Sequence, residues 1–118
     1  AEIYFNNVRI PADALIGEEG KGFYQVLEFF DESRVEIAAQ ALGIAQGALD
    51  RTVAYIKERS QFGRKIAAFQ VNQHKIADMA TRVELARLMV YKAAWNYDKG
   101  RIDPTLTSMA KMTAGQAA

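Results

Sequence analysis

The chain is 118 residues long, half of it hydrophobic and a quarter charged, which is the composition of one globular domain. Its 15 Lys and Arg against 14 Asp and Glu leave a formal net charge of +1, which argues against broad electrostatic capture of nucleic acid or an anionic membrane. The absence of cysteine excludes disulfides, thiolate metal sites and cysteine nucleophiles, and a single histidine, His74, makes a metal site or a Ser-His relay improbable. With no apolar run of membrane-spanning length and no signal-peptide pattern, the sequence is expected to belong to a soluble protein of a reducing compartment.

The opening AEIYFNNVRIP alternates and is rich in β-formers, with Asn6-Asn7 suited to a tight turn. Ile3, Phe5, Val8 and Ile10 are therefore expected to form a short two-stranded ribbon, marginal alone and the edge of a larger sheet. Pro11 ends it, and ALIGEEGKG (Ala14 to Gly22) reads as a glycine-punctuated loop. A phosphate-loop reading of GEEGKG fails. Leu15 stands where the first P-loop glycine is required, Gly22 where Ser or Thr is required, and Glu18 and Glu19 would repel phosphate.

From about Phe23 the period becomes helical. Val26, Phe30, Ile37, Ala41, Ala45, Leu49, Val53 and Ile56 predict one long amphipathic helix reaching almost to Arg59. Gly43 and Gly47, among Ala39, Ala41, Ala45 and Ala48, give it a smooth face open to close approach by another helix. A second helix is expected from Ala67–Gln70, with Phe69, Gln73, Ile76, Ala80, Val83, Val90 and Ala94 on its buried side, ending at Gly100. Asp103-Pro104 then opens a third, Pro104 suiting the first helical position. The third helix meets no stop signal. An orphan ribbon at one end and an unfinished helix at the other suggest a piece of something larger.

Two stretches carry candidate chemistry. In FFDESR (Phe29 to Arg34) the apolar stripe is broken by charge. Asp31 and Arg34 can pair at i, i+3, but Arg34 lies in the stripe itself, so it is either paired or reaches a ligand at the helix edge. In KERSQFGRKIAAFQ (Lys57 to Gln70), Arg59, Arg64 and Lys65 gather beside Phe62, Phe69, Gln61 and Gln70. Arginine forks match phosphate oxygens, and an aromatic face can carry a planar ring. A solvated basic loop is the bland alternative. His74 reads as an exposed or hydrogen-bonded side chain, and Met79, Met89, Tyr91 and Trp95 as core or interface.

The spacing Arg-x-x-Phe-Gly followed by Phe-Gln, within RSQFGRKIAAFQVNQHKIADMA, strongly resembles the signature of the C-terminal helical domain of acyl-CoA dehydrogenases. The likeness continues through GIAQGALDRTVAYIKER and FDESR back to YFNNVRIPADALIGEEGKGF, covering essentially the whole chain. The resemblance implies an all-α, up-and-down bundle of about three long helices (23–118, incomplete at its C-terminus). Residues 1–22 would then be the end of a middle β-domain and its connecting loop.

It implies a parent flavoenzyme that holds FAD noncovalently and desaturates acyl-CoA thioesters at the α,β bond. Electrons would pass to an electron-transfer flavoprotein, and the assembly would be a dimer of dimers in the cytoplasm or, in a eukaryote, the mitochondrial matrix. Carried over by position, Arg59 would contact the FAD pyrophosphate of a neighbouring subunit, with Gln61 and Phe62 beside it and Phe69 and Gln70 near the adenosine end. Phe30, Asp31 and Arg34 would meet the CoA portion, with Phe23 and Leu27 as channel wall. In a minority of the family the catalytic glutamate lies immediately before the arginine of the first helix. That position is Ser33, and Glu32 points about 100° away. No catalytic base is therefore assigned, and the 118 residues alone are expected to be inactive and to self-associate. An acyl-CoA oxidase or nitroalkane oxidase-like relative, and a helical oligomerisation module without flavin, are the alternatives.

Overall fold

A computed structural model describes all 118 residues. Three helices, α1 (Gly22–Glu58), α2 (Gln70–Asp98) and α3 (Pro104–Ala117), form an up-down-up bundle. Antiparallel α1 and α2 place Gln46 against Arg87, whose guanidinium donates to the Gln46 side-chain oxygen. The helical expectation holds, with boundaries within a residue or two of those read from the sequence.

Local chemistry explains the ends. Gly100, at φ +67°, closes α2, its N–H donating to Tyr97 O at 2.8 Å while Arg101 N–H donates to Asn96 O at 2.9 Å. Three residues later the Asp103 carboxylate accepts from Thr105 N–H (2.9 Å) and Leu106 N–H (3.2 Å), capping α3 ahead of Pro104.

The ribbon expected over residues 3–10 does not form. Residues 1–11 hold no strand, although Asn7 does take the positive φ (+50°) of a tight turn. Two short strands without a sheet beside them have too little to bury. The antiparallel ribbon of the structure instead joins the first two helices, pairing β1 (Ser60–Gln61) with β2 (Arg64–Lys65).

The core is a seam of small side chains. Ala38, Leu42 and Ala45 of α1 meet Val83, Ala86, Val90 and Ala93 of α2 and Leu106, Ala110 and Ala114 of α3. Thr107, the one buried polar residue, donates its hydroxyl to Pro104 O at 3.2 Å. Of the stripe read from the sequence on α1, only Ala45 is fully buried; Ala41, Leu49, Val53 and Ile56 are half-buried and Val26, Phe30 and Ile37 are exposed. α1 is apolar on more than one face, and the three helices bury its small-residue face. The smooth face around Gly43 and Gly47 stays open, since a Cβ at either position would meet nothing within 4 Å. No helix is long and apolar enough to cross a membrane.

Candidate functional site

The C-terminal end of α1 runs directly into the hairpin. Arg59 caps the helix, its N–H donating to Tyr55 O at 2.9 Å, and its own carbonyl accepts from Ile66 N–H at 2.9 Å. Between the paired strands the whole turn is Phe62-Gly63, with φ of +52° and +77°, the sign pattern of a type I′ hairpin. Lys65 stretches back to donate its Nζ to Glu58 O at 2.7 Å, satisfying a terminal carbonyl of α1. The 3-10 turn Ile66–Ala68 is tied to α2 by Asn72, donating to Ile66 O (2.8 Å), and Gln73, donating to Ala67 O (3.0 Å).

These constraints sort the basic residues. Lys65 is engaged with the backbone. Arg64 lays its guanidinium over the Phe69 ring at 4.2 Å from the centroid, a cation–π contact. Arg59 has no ion pair and no side-chain hydrogen bond, so its fork is free to meet an anion. Phe62 stands edge-on to Phe69, with centroids 6.3 Å apart and planes at 87°. Gln61 lies on the exposed strand and Gln70 opens α2, both in solvent. All five residues expected at a cofactor are thus on one hairpin and its flanks. The hairpin itself was not foreseen, because Phe-Gly lacks the Asn-Gly signature of such turns.

At the other end of α1, Phe23, Leu27, Phe30 and Arg34 recur at spacings of four, three and four on one helix face. Arg34 is ion-paired with Asp31, both part-buried, so the pairing alternative for Arg34 is realised. Below them opens a cleft of about 690 Å³ lined by Phe29, Phe30, Ser33, Arg34, Glu36, Ile37 and, from α3, Lys111. Phe23 and Leu27 lie one to two turns above it and do not line it; Phe23 packs edge-on against Tyr24. Ser33 faces the cleft with its hydroxyl turned to Phe30 O at 3.4 Å, whereas Glu32 lines a separate groove toward Tyr97 and Asp98 of α2. Lys111 was missed because it lies more than 70 residues downstream in an unremarkable helix; only the α1–α3 packing brings it here.

The two regions are far apart. Arg34 and Arg59 are 25 residues apart along one helix, roughly 37 Å at 1.5 Å per residue.

Comparison with known proteins agrees with this architecture. The family model for the acyl-CoA dehydrogenase C-terminal domain matches residues 20–118. The probable acyl-CoA dehydrogenase FadE25 of Mycobacterium tuberculosis is 53% identical over 109 residues, covering 92% of this chain and 28% of its own length. Among solved structures, butyryl-CoA dehydrogenase from Megasphaera elsdenii superposes with a TM-score of 0.93 at 43% identity, over 97% of this chain and 30% of that one. A chain in a structure described as the electron transferring flavoprotein of Acidaminococcus fermentans gives the same TM-score at 46% identity, again over 97% and 30%. The chain therefore spans less than a third of the length of these relatives, and it belongs to the acyl-CoA dehydrogenase family.

Proposed function

We propose that this chain supplies two half-sites of an FAD-dependent acyl-CoA dehydrogenase, one at each end of α1, that serve two different active sites. The observation carrying this is the roughly 37 Å between Arg34 and Arg59. We assign the two regions to separate active sites on this separation together with the likeness of Arg-x-x-Phe-Gly to the family's cofactor hairpin, a second subunit being set so that its hairpin reaches the first subunit's cofactor.

The residues fit the cofactor. The free Arg59 fork matches a pyrophosphate, and Gln61, Phe62, Phe69 and Gln70 surround it with amides and ring faces suited to the adenosine end. FAD held there would supply the acceptor for the β-hydrogen, and an electron-transfer flavoprotein would take the electrons onward. At the other end, Phe30 and the Asp31–Arg34 pair border the cleft for the CoA portion, and Phe23 and Leu27 continue the same face as channel wall. Ser33, an alcohol hydrogen-bonded to backbone, has no capacity to take the α-proton, so the catalytic base comes from elsewhere in the enzyme.

In this reading residues 1–22 end a middle β-domain, residues 23–118 belong to the helical domain, and the enzyme is a dimer of dimers. The 118 residues alone self-associate and have no dehydrogenase activity. In this reading the enzyme is cytoplasmic, as its likeness to bacterial members of the family suggests, and a eukaryotic one would lie in the mitochondrial matrix.

The test is Arg59→Ala in the full-length protein. Loss of the flavin absorbance with the assembly intact supports the reading. Retained flavin with altered assembly favours a helical oligomerisation module and overturns it.

A further inference from the structure

We propose that Lys111 determines which thioesters the cleft on α1 accepts, by meeting an anionic oxygen of the bound substrate. This rests on the acyl-CoA reading above, in which Lys111 has no role. The cleft is the largest of the molecule at about 690 Å³, and Lys111 is the one lining residue that does not come from α1. Its place is fixed by its own helix. Leu106, Ala110 and Ala114 of α3 are buried in the seam, so the Lys111 backbone is held while its side chain stays exposed. Phe29, Phe30 and Ile37 give the cleft an apolar wall suited to the lysine stem.

The polar groups of the cleft differ in what they still have to offer. Arg34 is ion-paired with Asp31, so its charge is already matched. The Ser33 hydroxyl donates to Phe30 O at 3.4 Å. Lys111 is in neither of the two ion pairs of the chain, Arg34–Asp31 and Arg87–Glu84, and its Nζ makes no hydrogen bond. Glu36 lines the same cleft without pairing to it, and also borders the groove of Glu32 and Asp98. An ammonium with three free donors beside an apolar wall is the receptor this cleft offers an anion, and Glu36 acts in the opposite sense. Acyl-CoA thioesters carry that chemistry in two places. One is the phosphates of CoA; the other, in dicarboxylic thioesters, is a carboxylate at the far end of the acyl chain. A compact point charge suits either.

The experiment is steady-state kinetics of the full-length enzyme and of Lys111→Met, Lys111→Arg and Glu36→Gln, each with its flavin content checked. Three thioesters are compared: the straight-chain acyl-CoA oxidised fastest between butyryl- and palmitoyl-CoA, the same acyl group on pantetheine, which lacks the phosphates, and its ω-carboxy CoA thioester. Affinity is read as KM, or as Ki where a thioester binds without turnover. Loss of one charge-assisted contact predicts a KM about tenfold or more higher in Lys111→Met with kcat little changed, because ground and transition states share the contact. Lys111→Arg is expected within about threefold of the parent, and Glu36→Gln to lower KM. A penalty that disappears on pantetheine identifies the phosphates as the partner, and one confined to the ω-carboxy thioester identifies the carboxylate; either supports the inference. An unchanged KM in Lys111→Met, or an equal rise with all three thioesters, overturns it, the equal rise marking a lysine that is only structural. A parent that oxidises none of the acyl-CoAs overturns the proposed function and this inference with it. An active parent with indifferent Lys111 variants leaves that function standing and removes this inference alone.

Discussion

Every side chain with no exposure at all is an alanine: Ala38, Ala86, Ala110 and Ala114, one on each of α1 and α2 and two on α3. Alanine at the contacts allows helices to approach at the close end of the usual 8–10 Å spacing, and the seat of Ala110 is the place to test whether these do. Ala110→Leu adds three carbons to a site at 0% exposure. Were space available, their burial would stabilise by about 2.4 kcal/mol at about 0.8 per carbon. In a filled seam the helices must part instead, and overpacking costs about 1–3 kcal/mol.

Ala110→Gly probes the opposite direction. It loses about 0.8 kcal/mol of buried methyl and about 1 kcal/mol of helix propensity, close to 2 kcal/mol together. The assay is urea unfolding followed by far-UV circular dichroism, where a 2 kcal/mol loss with a slope of about 1.5 kcal/mol/M lowers the midpoint by about 1.3 M. Ala39→Leu, on an exposed position of α1, is the control and is expected within about 0.5 kcal/mol of the parent. A stabilised Ala110→Leu, with the control unchanged, would show a void in the seam and refute the close-packing account.

Replacing Asp103 by Ala removes the acceptor for Thr105 and Leu106 N–H and is expected to cost about 1 kcal/mol in the same assay, while Asp103→Asn, an equally good cap, stays within a few tenths. The glycines divide by backbone conformation. Gly43→Ala, in an ordinary helical conformation with open space around its Cβ, is expected to stabilise this chain by about 0.5–1 kcal/mol, measured by thermal unfolding. Gly63→Ala meets no atom either, but its φ of +77° makes the change destabilising by about 1 kcal/mol; an unchanged melting temperature would count against the turn geometry.

What the sequence revealed depended on how far apart the determinants lie. The Asp103-Pro104 start of α3 and the Gly100 end of α2 were legible because each is decided within four residues. The constellation of Arg59, Gln61, Phe62, Phe69 and Gln70 was legible as spacing, although the hairpin that gathers it was not: two-residue strands carry no alternation to read. The core was misjudged for a different reason. Periodicity on α1 marked Phe30 and Ile37, both about half exposed, and passed over Ala38, which is completely enclosed. Hydropathy records how much burial a residue requires and not which neighbour provides it. In three helices that close on alanine, the large residues are left facing outward, so the strongest apolar signal on α1 marks surface for contacts beyond these helices. Only 11 of 118 residues are buried while Phe23, Leu27, Phe29, Phe30 and Ile37 stand open along one end of the same helix. That imbalance follows if α1 was selected to satisfy partners over its whole length, with the internal seam needing only its small residues. The two regions proposed for substrate and cofactor then fall where the internal seam ends: the cleft before Ala38 and the hairpin beyond Ala45 and the half-buried stripe to Ile56. Each lies where α1 is least committed to its own bundle and its side chains are free to meet something else.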